Sequence, residues 1–253
     1  MADERPIGVF DSGVGGVSTL AEMTRLMPHE RFLFYGDTAH APYGTKSREL
    51  VMGYVRGIME HLLRQDVKAV AIACNTATAV AAAELRAEYE LPIIGIEPAL
   101  KPAHEMRHGG SILVLATPMT LRLEKFQHLM SQYGEGAVPL PCPGLMELVE
   151  NEAFEQAARY FRELFMPYDL KKVDAVVLGC THYVFLRPVL GDILPESVQM
   201  LDGNLGTARQ LRRVLESRGL NAEAGEGSVS FETSGDPAVV LPRMRRLMAR
   251  AMA

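Results

Sequence analysis

Eight short apolar runs recur along the chain, at residues 7–10, 32–35, 69–73, 93–96, 112–115, 175–178, 198–201 and 229–231. Runs of this length without polar alternation read as strands buried on both faces of a parallel sheet. Between them lie amphipathic stretches of helical period, including 47–64, the Ala-rich 76–89, 154–165 and 205–217, the last followed by Gly219 in the helix-stop position. This alternation predicts an α/β fold, in which ligands sit beyond the carboxyl ends of the strands. At 253 residues the chain has room for one large or two small domains.

Two strand-turn units repeat. Residues 67–76 (VKAVAIACNT) align with 173–182 (VDAVVLGCTH) at an offset of 106, and 7–12 (IGVFDS) with 112–117 (ILVLAT) at an offset of 105. An internal duplication into two similar lobes follows. The aligned units place Cys74 and Cys180 at the same register, each at the tip of a strand with a helix start next in line. There the helix dipole and free N–H groups favour a thiolate. Taken alone, either cysteine reads as a small buried hydrophobe. Two at equivalent positions of facing lobes read as a functional pair.

Two similar weak acids on opposite faces of a substrate suit inversion of a stereocentre. One group removes the proton from carbon while the other delivers a proton to the opposite face. An unperturbed thiol, with a pKa of about 8.5, is close enough to neutrality to serve in either role. Nucleophilic catalysis by Cys180 with His182 as base is the competing use, and it leaves Cys74 without a role.

Polar residues at the other strand ends suit an amino acid as substrate. Asp11 and Ser12 precede the glycine-rich turn Gly13-Val-Gly15-Gly16, which can present N–H groups to an anion. Asp11 can orient an ammonium, take a proton, or simply cap a helix. Asn75, Thr76, Thr117, Thr120 and Thr181 are short hydrogen-bonding residues at helix starts, able to hold carboxylates and equally able to act as ordinary caps. Pro42-Tyr43-Gly44, on a loop after Asp37, reads as a lid and carboxylate binder or as a plain turn.

The remaining features narrow the choice. A net charge of −5 argues against a nucleic-acid partner or an anionic membrane surface. Arg243, Arg245, Arg246 and Arg250, interrupted by apolar residues, read as a solvated helix face. No apolar stretch reaches 18 residues, and Met1 to Pro6 is short and charged, so neither a membrane span nor a secretory signal is expected and a cytoplasmic location follows. Three cysteines without a C-x-x-C pair point to neither a disulfide framework nor a zinc knuckle. His104-Glu105-Met106-Arg107-His108 fits H-E-x-x-H, but it precedes Gly109-Gly110 and reads as the last turn of an exposed helix. The Gly13-x-Gly15-x-x-Ser18 turn with Asp37 ending the second strand approaches a dinucleotide fingerprint, which makes a nicotinamide-dependent dehydrogenase a rival. Cys142, between Pro141 and Pro143 and away from a strand-helix junction, reads as structural.

Residues 7–16 (IGVFDSGVGG) and 36–44 (GDTAHAPYG) resemble signature segments of the glutamate racemases, within the aspartate/glutamate racemase superfamily. So do Ala73-Cys-Asn-Thr-Ala77, Ile94-Gly-Ile-Glu-Pro98, Leu178-Gly-Cys-Thr-His182 and Thr233-Ser-Gly-Asp236. The resemblance covers almost the whole chain in the right order. It implies two pseudo-symmetric α/β lobes with mostly parallel sheets and the active site in the cleft between them, the first lobe spanning 1–97 and 208–253 and the second 98–207. It further implies cofactor- and metal-independent interconversion of L- and D-glutamate, supplying D-glutamate for peptidoglycan synthesis in a homodimer. Cys74 and Cys180 match the two acid/base thiols, Asp11 the carboxylate supporting the first, and His182 with Glu150 the groups supporting the second. Ser12, Pro42, Tyr43, Gly44, Asn75, Thr76, Thr117, Thr120 and Thr181 match substrate-binding positions, joined by Asp11 and His182. His40 stands where Arg is usual, Glu147 where Pro is usual, and Asp202-Gly203-Asn204 where Asp-Ser-Gly is usual. An N-terminal activator-binding extension is not matched, so control by a peptidoglycan precursor is not expected. Aspartate and hydantoin racemases remain the nearest alternatives.

Overall fold

The computed structural model describes residues 3–252; Met1, Ala2 and Ala253, which belong to the expected first lobe, lie outside the described residues. In chain order the elements are β1 (Ile7–Asp11), α1 (Val17–Leu26), β2 (Arg31–Gly36), α2 (Arg48–Arg64), β3 (Ala69–Ile72), α3 (Asn75–Glu88), β4 (Ile93–Gly95) and α4 (Leu100–Glu105). They continue with β5 (Ser111–Ala116), α5 (Pro118–Arg122), α6 (Glu124–Tyr133), β6 (Ala137–Pro141), α7 (Leu145–Glu150), α8 (Phe154–Phe165), β7 (Val173–Leu178), α9 (Arg187–Gly191) and β8 (Gln199–Asp202). The last three are α10 (Asn204–Ser217), β9 (Ser228–Thr233) and α11 (Pro237–Met252). Short 3-10 turns at Thr38–His40, Tyr43–Thr45, Leu170–Lys172 and Thr181–Leu186 fill the connections.

The chain forms two compact units, one from the segments up to Glu97 and from Asn204 onward, the other Pro98–Gly203. The second boundary falls at Gly203 rather than at 207, because α10 begins at Asn204 and enters the first unit whole. Its first residue is tied there, with Thr19 Oγ1 donating to Asn204 Oδ1 at 2.7 Å.

The first unit holds a sheet of order β4-β3-β1-β2-β9 and the second a sheet of order β6-β5-β7-β8, with every pairing parallel. Matching β1 to β5, β2 to β6, β3 to β7 and β4 to β8 makes the orders identical over four strands, with β9 the extra strand of the first sheet, so the repeat seen in two strands extends to four. The bonds at the strand ends repeat as well. Ala73 N donates to Phe10 O at 2.8 Å and Gly179 N to Leu115 O at 2.7 Å, while Asp37 N donates to Asp11 O and Cys142 N to Ala116 O, both at 2.9 Å. In each sheet the strand order reverses between the first and third strands, which is where α/β sheets bind ligands.

All eight apolar runs are strands, and β6 is a ninth. Its sequence, Ala-Val-Pro-Leu-Pro, carries Pro139 and Pro141, which cannot donate to a ladder, and it survives because it lies at the sheet edge. Ser47 caps α2 by accepting the Leu50 amide, and Gly219, at φ +64°, stops α10 as Leu220 N reaches back to Leu215 O. In α11, Val240, Met244 and Leu247 are buried while Arg245, Arg246 and Arg250 are exposed. At the amino ends of the first unit's strands, buried Lys68 pairs with buried Glu30 at 2.6 Å and donates to Asp3 O at 2.5 Å; Glu30 also accepts the Ala222 amide at 2.8 Å. This ties four chain segments together at the end opposite to where ligands bind.

Two readings need correction. Helix α4 ends at Glu105, so His108 lies beyond it and its amide donates to Asp174 Oδ2 at 2.7 Å. The two histidines therefore do not share a helical face, and no cluster of three metal-ligating side chains occurs among the described residues. Cys142 does lie at a strand-helix junction, directly after β6 and shortly before α7. No helix among the described residues is long and apolar enough to cross a membrane.

Candidate active site

In the first unit, β1 ends at Asp11 and β3 leads to Cys74, at the point where the strand order reverses. Asp11 is buried and is not the N-cap of α1, which is Gly16; its Oδ2 accepts the Gly16 amide at 2.8 Å and so braces the turn that leads into the helix. Gly16 is required there: a Cβ would lie 2.7 Å from Asp11 Cβ and 3.0 Å from Ala73 Cβ. Cys74 is the N-cap of the 14-residue α3, an unusual cap, and its sulfur accepts the Ala77 amide at 3.4 Å. The same sulfur lies 3.5 Å from Ser12 Oγ, to which the thiol can donate. Asn75 and Thr76, both buried, form the first turn of α3. A dipole and an aimed amide thus favour negative charge on Cys74.

The Pro42-Tyr43-Gly44 segment is no open loop. It enters a 3-10 turn in which Tyr43 is only 1% exposed, with its hydroxyl donated to Asp37 Oδ2 at 2.5 Å. Burial, and then the Asp37 carboxylate, push the Tyr43 phenol far above its ordinary value. It therefore stays a donor. The other Asp37 oxygen faces His40 Nδ1 at 2.8 Å. With both oxygens engaged inside the fold, Asp37 has nothing to offer the ribose of a dinucleotide.

In the second unit, Thr117 follows β5 and caps α5, its Oγ1 accepting the Thr120 amide at 3.2 Å and lying 2.9 Å from Thr120 Oγ1. Cys180 follows β7. Unlike Cys74 it precedes a 3-10 turn, Thr181–Leu186, and its side chain caps no amide. The expected helix N-terminus is present at Cys74 only. Cys180 has a side-chain partner instead: His182 Nδ1 lies 3.8 Å from its sulfur, and His182 Nε2 lies 3.0 Å from Glu150 Oε1, at the end of α7. His182 is 1% exposed, so a carboxylate–imidazole–sulfur chain runs through protein rather than water. Thr181 is buried beside it.

Cys142 occupies the position in the second unit that Asp37 holds in the first, as the matched amide bonds show. Its thiol donates to Leu140 O at 3.3 Å, and burial pushes it up to about 12, so it is neutral and inert near pH 7. The Tyr183 hydroxyl donates to its carbonyl at 3.2 Å. The sequence read Asp37 as part of a dinucleotide-like turn and His40 as a departure from the family pattern; it missed their bond to each other, the Tyr43 hydroxyl on Asp37 and Tyr54 stacked on His40. The signal available was the 105-residue offset between Asp37 and Cys142.

Each unit carries a parallel sheet whose third strand leads into a cysteine with polar support, an arrangement suited to acid–base chemistry at the strand ends. The chain belongs to the Asp/Glu/Hydantoin racemase family, whose model matches residues 10–211, and is thus an isomerase rather than a dehydrogenase. A glutamate racemase of Bifidobacterium adolescentis is 47% identical over 258 residues, 99% of this chain and 100% of that protein. The crystal structure of glutamate racemase from Thermus thermophilus in complex with beta-chloro-D-alanine matches with a TM-score of 0.85 at 36% identity, over 98% of this chain and 94% of that one. That of Francisella tularensis, in complex with D-glutamate, matches with a TM-score of 0.82 at 26% identity, over 99% and 94%.

Proposed function

We propose that this chain racemises glutamate by two-thiol proton transfer, without pyridoxal phosphate or metal. The observation that carries the reading is the repeated strand end: Cys74 and Cys180 at equivalent registers, each with its own polar support. Glutamate is favoured over aspartate by the full-length similarity to glutamate racemases.

Starting from D-glutamate, the Cys74 thiolate takes the α-proton and becomes a thiol. The electron pair passes into the substrate carboxylate as an enolate-like carbanion. The Cys180 thiol then protonates the opposite face and is left as thiolate, the state that begins the reverse reaction. His182, backed by Glu150, stabilises that thiolate, while the α3 amides and Ser12 serve Cys74. Asp11 orients the ammonium, and Asn75, Thr76, Thr117, Thr120, Thr181 and the Tyr43-Gly44 segment hold the carboxylates. A carbon acid so weak needs fixed dipoles on the developing charge, which these short polar side chains and amides supply. The enzyme works in the cytoplasm as a homodimer and supplies D-glutamate for peptidoglycan.

Purified, chelator-treated protein incubated with D-glutamate in deuterium oxide should bring optical rotation to zero while placing deuterium on the α-carbon of the L product. D-aspartate under the same conditions should keep both its rotation and its α-hydrogen. Exchange confined to aspartate, or none with either, removes the glutamate reading.

A further inference from the structure

Asp37 takes no part in the proton transfer, yet it is 2% exposed and both its carboxylate oxygens are committed. One accepts the Tyr43 hydroxyl at 2.5 Å and the other faces His40 Nδ1 at 2.8 Å. A carboxylate only accepts, so Nδ1 carries the hydrogen. The His40 ring lies flat on Tyr54 of α2, centroids 4.0 Å apart and planes 16° apart, and Tyr54 stacks on Tyr43 at 5.9 Å and 25°. On the other side β9 closes the segment. Thr38 Oγ1 lies 2.8 Å from Thr233 Oγ1, and Ser234 Oγ accepts the Ala39 amide at 3.1 Å. Strand end, helix and edge strand thus converge on residues 38–46, a stretch of two short turns with no ladder of its own.

We infer that Asp37 and His40 are positioning residues: a carboxylate–imidazole anchor that fixes Tyr43 and Gly44 where substrate is received. The inference rests on the proposed substrate role of those two residues. With its hydroxyl given to Asp37, the Tyr43 side chain is a strut, and what the segment presents to substrate is its backbone. His40 stands where Arg is usual in the family resemblance. Both are planar donors able to bond a carboxylate while stacking on a ring.

The test compares Asp37→Asn, His40→Phe, His40→Arg and the double variant Asp37→Asn/Tyr43→Phe with the parent enzyme. It reads KM and kcat for both glutamate enantiomers and hydrogen exchange of amides 38–46. Loss of a charge-assisted bond should raise KM roughly 10-fold or more in D37N and H40F with kcat changed far less, and speed exchange across 38–46 by a similar factor. H40R should restore both. The double variant should be no worse than D37N alone, since the two residues act as one unit. Unchanged KM in D37N and H40F overturns the anchor while leaving the racemase standing. If the parent enzyme does not exchange the α-hydrogen of glutamate, the substrate reading falls. The anchor is then judged by amide exchange: unchanged protection in H40F, which spares the buried carboxylate, overturns it, and lost protection upholds it.

Discussion

Replacing Glu150 by Gln isolates the charge behind one of the two thiols. The change keeps shape and an acceptor oxygen 3.0 Å from His182 Nε2, but removes the carboxylate that supports positive charge on the imidazole 3.8 Å from Cys180. A hydrogen bond to a charged group is worth about 1.5–3 kcal/mol against ~1 for a neutral one. The difference is then about 0.5–2 kcal/mol, and because the Glu150 side chain is only 15% exposed, solvent screens it little and about 1.4 kcal/mol, or tenfold, is expected. Enantiomers are equal in energy, so kcat/KM must fall by the same factor in both directions and cannot say which thiol was weakened. Isotope effects can. The substitution raises the barrier for the proton moving between the α-carbon and Cys180. With α-deuterated L-glutamate that transfer is the abstraction itself, and the isotope effect should grow. With α-deuterated D-glutamate, abstraction by Cys74 becomes a reversible step before the slow one, and the effect should shrink. Asp11→Asn should reverse the pattern. Equal changes for the two enantiomers, or the opposite order in E150Q, refute the assignment of Glu150 and His182 to the Cys180 side.

Cys74→Ser and Cys180→Ser should each lower turnover in both directions by roughly 10²–10⁴, the range of general acid–base contributions, measured by circular dichroism of either enantiomer. Cys142→Ser should leave kcat within about twofold, since that thiol bonds Leu140 O and the Tyr160 side chain and has no part in the proposed proton transfer. It should, however, change the alkaline stability profile. The Cys142 thiol is held neutral in the fold up to about 12 against an ordinary 9.0, so an unfolded chain binds fewer protons above pH 9. The stability this contributes is intact below pH 9 and is lost, at about 1.4 kcal/mol per unit, as pH rises towards 12. Urea midpoints at pH 8 and 10 should therefore differ more in the parent than in C142S, and equal differences would count against it. Lys68→Met strands the buried Glu30 carboxylate and should cost about 3–5 kcal/mol in urea unfolding. The double variant Lys68→Met/Glu30→Leu should recover most of it, and additive losses would show that the pair is not an isolated unit.

The strands were legible because burial on both faces leaves a run without alternation, and the cysteine register was legible because an offset of 106 carries no turn chemistry to obscure it. The strand β6 was not. Its two prolines argue against a strand unless the sheet order is known, and the order comes from long-range pairing that no local pattern encodes. The helix after Cys180 misled for a related reason: residues 181–186 are apolar enough for an α-helix, but they close as a 3-10 turn before α9. Asp37 read as the acid of a near-dinucleotide fingerprint. Its bonds to Tyr43 and His40 depend on how residues 38–46 fold back, and Tyr54 reaches them from a helix whose period reveals a buried stripe but not its neighbour.

The two units share a strand order and a cysteine register, yet they support their thiols by different physics, and the difference follows from local backbone. In the first, a 14-residue helix capped by Cys74 brings an amide and a dipole to the sulfur, with the Asp11 carboxylate at the neighbouring strand end. In the second, the turn after Cys180 is too short and too tightly wound to supply that field. A buried histidine backed by a carboxylate stands in for it. One strand away the contrast is reversed: Asp37 anchors a polar loop in the first unit, while in the second the neutral Cys142 occupies the matching position and its carbonyl accepts the Tyr183 hydroxyl. The two thiols are thus equivalent in position within their own units and unequal in environment. Charge-removing variants should therefore act on one side of the reaction at a time.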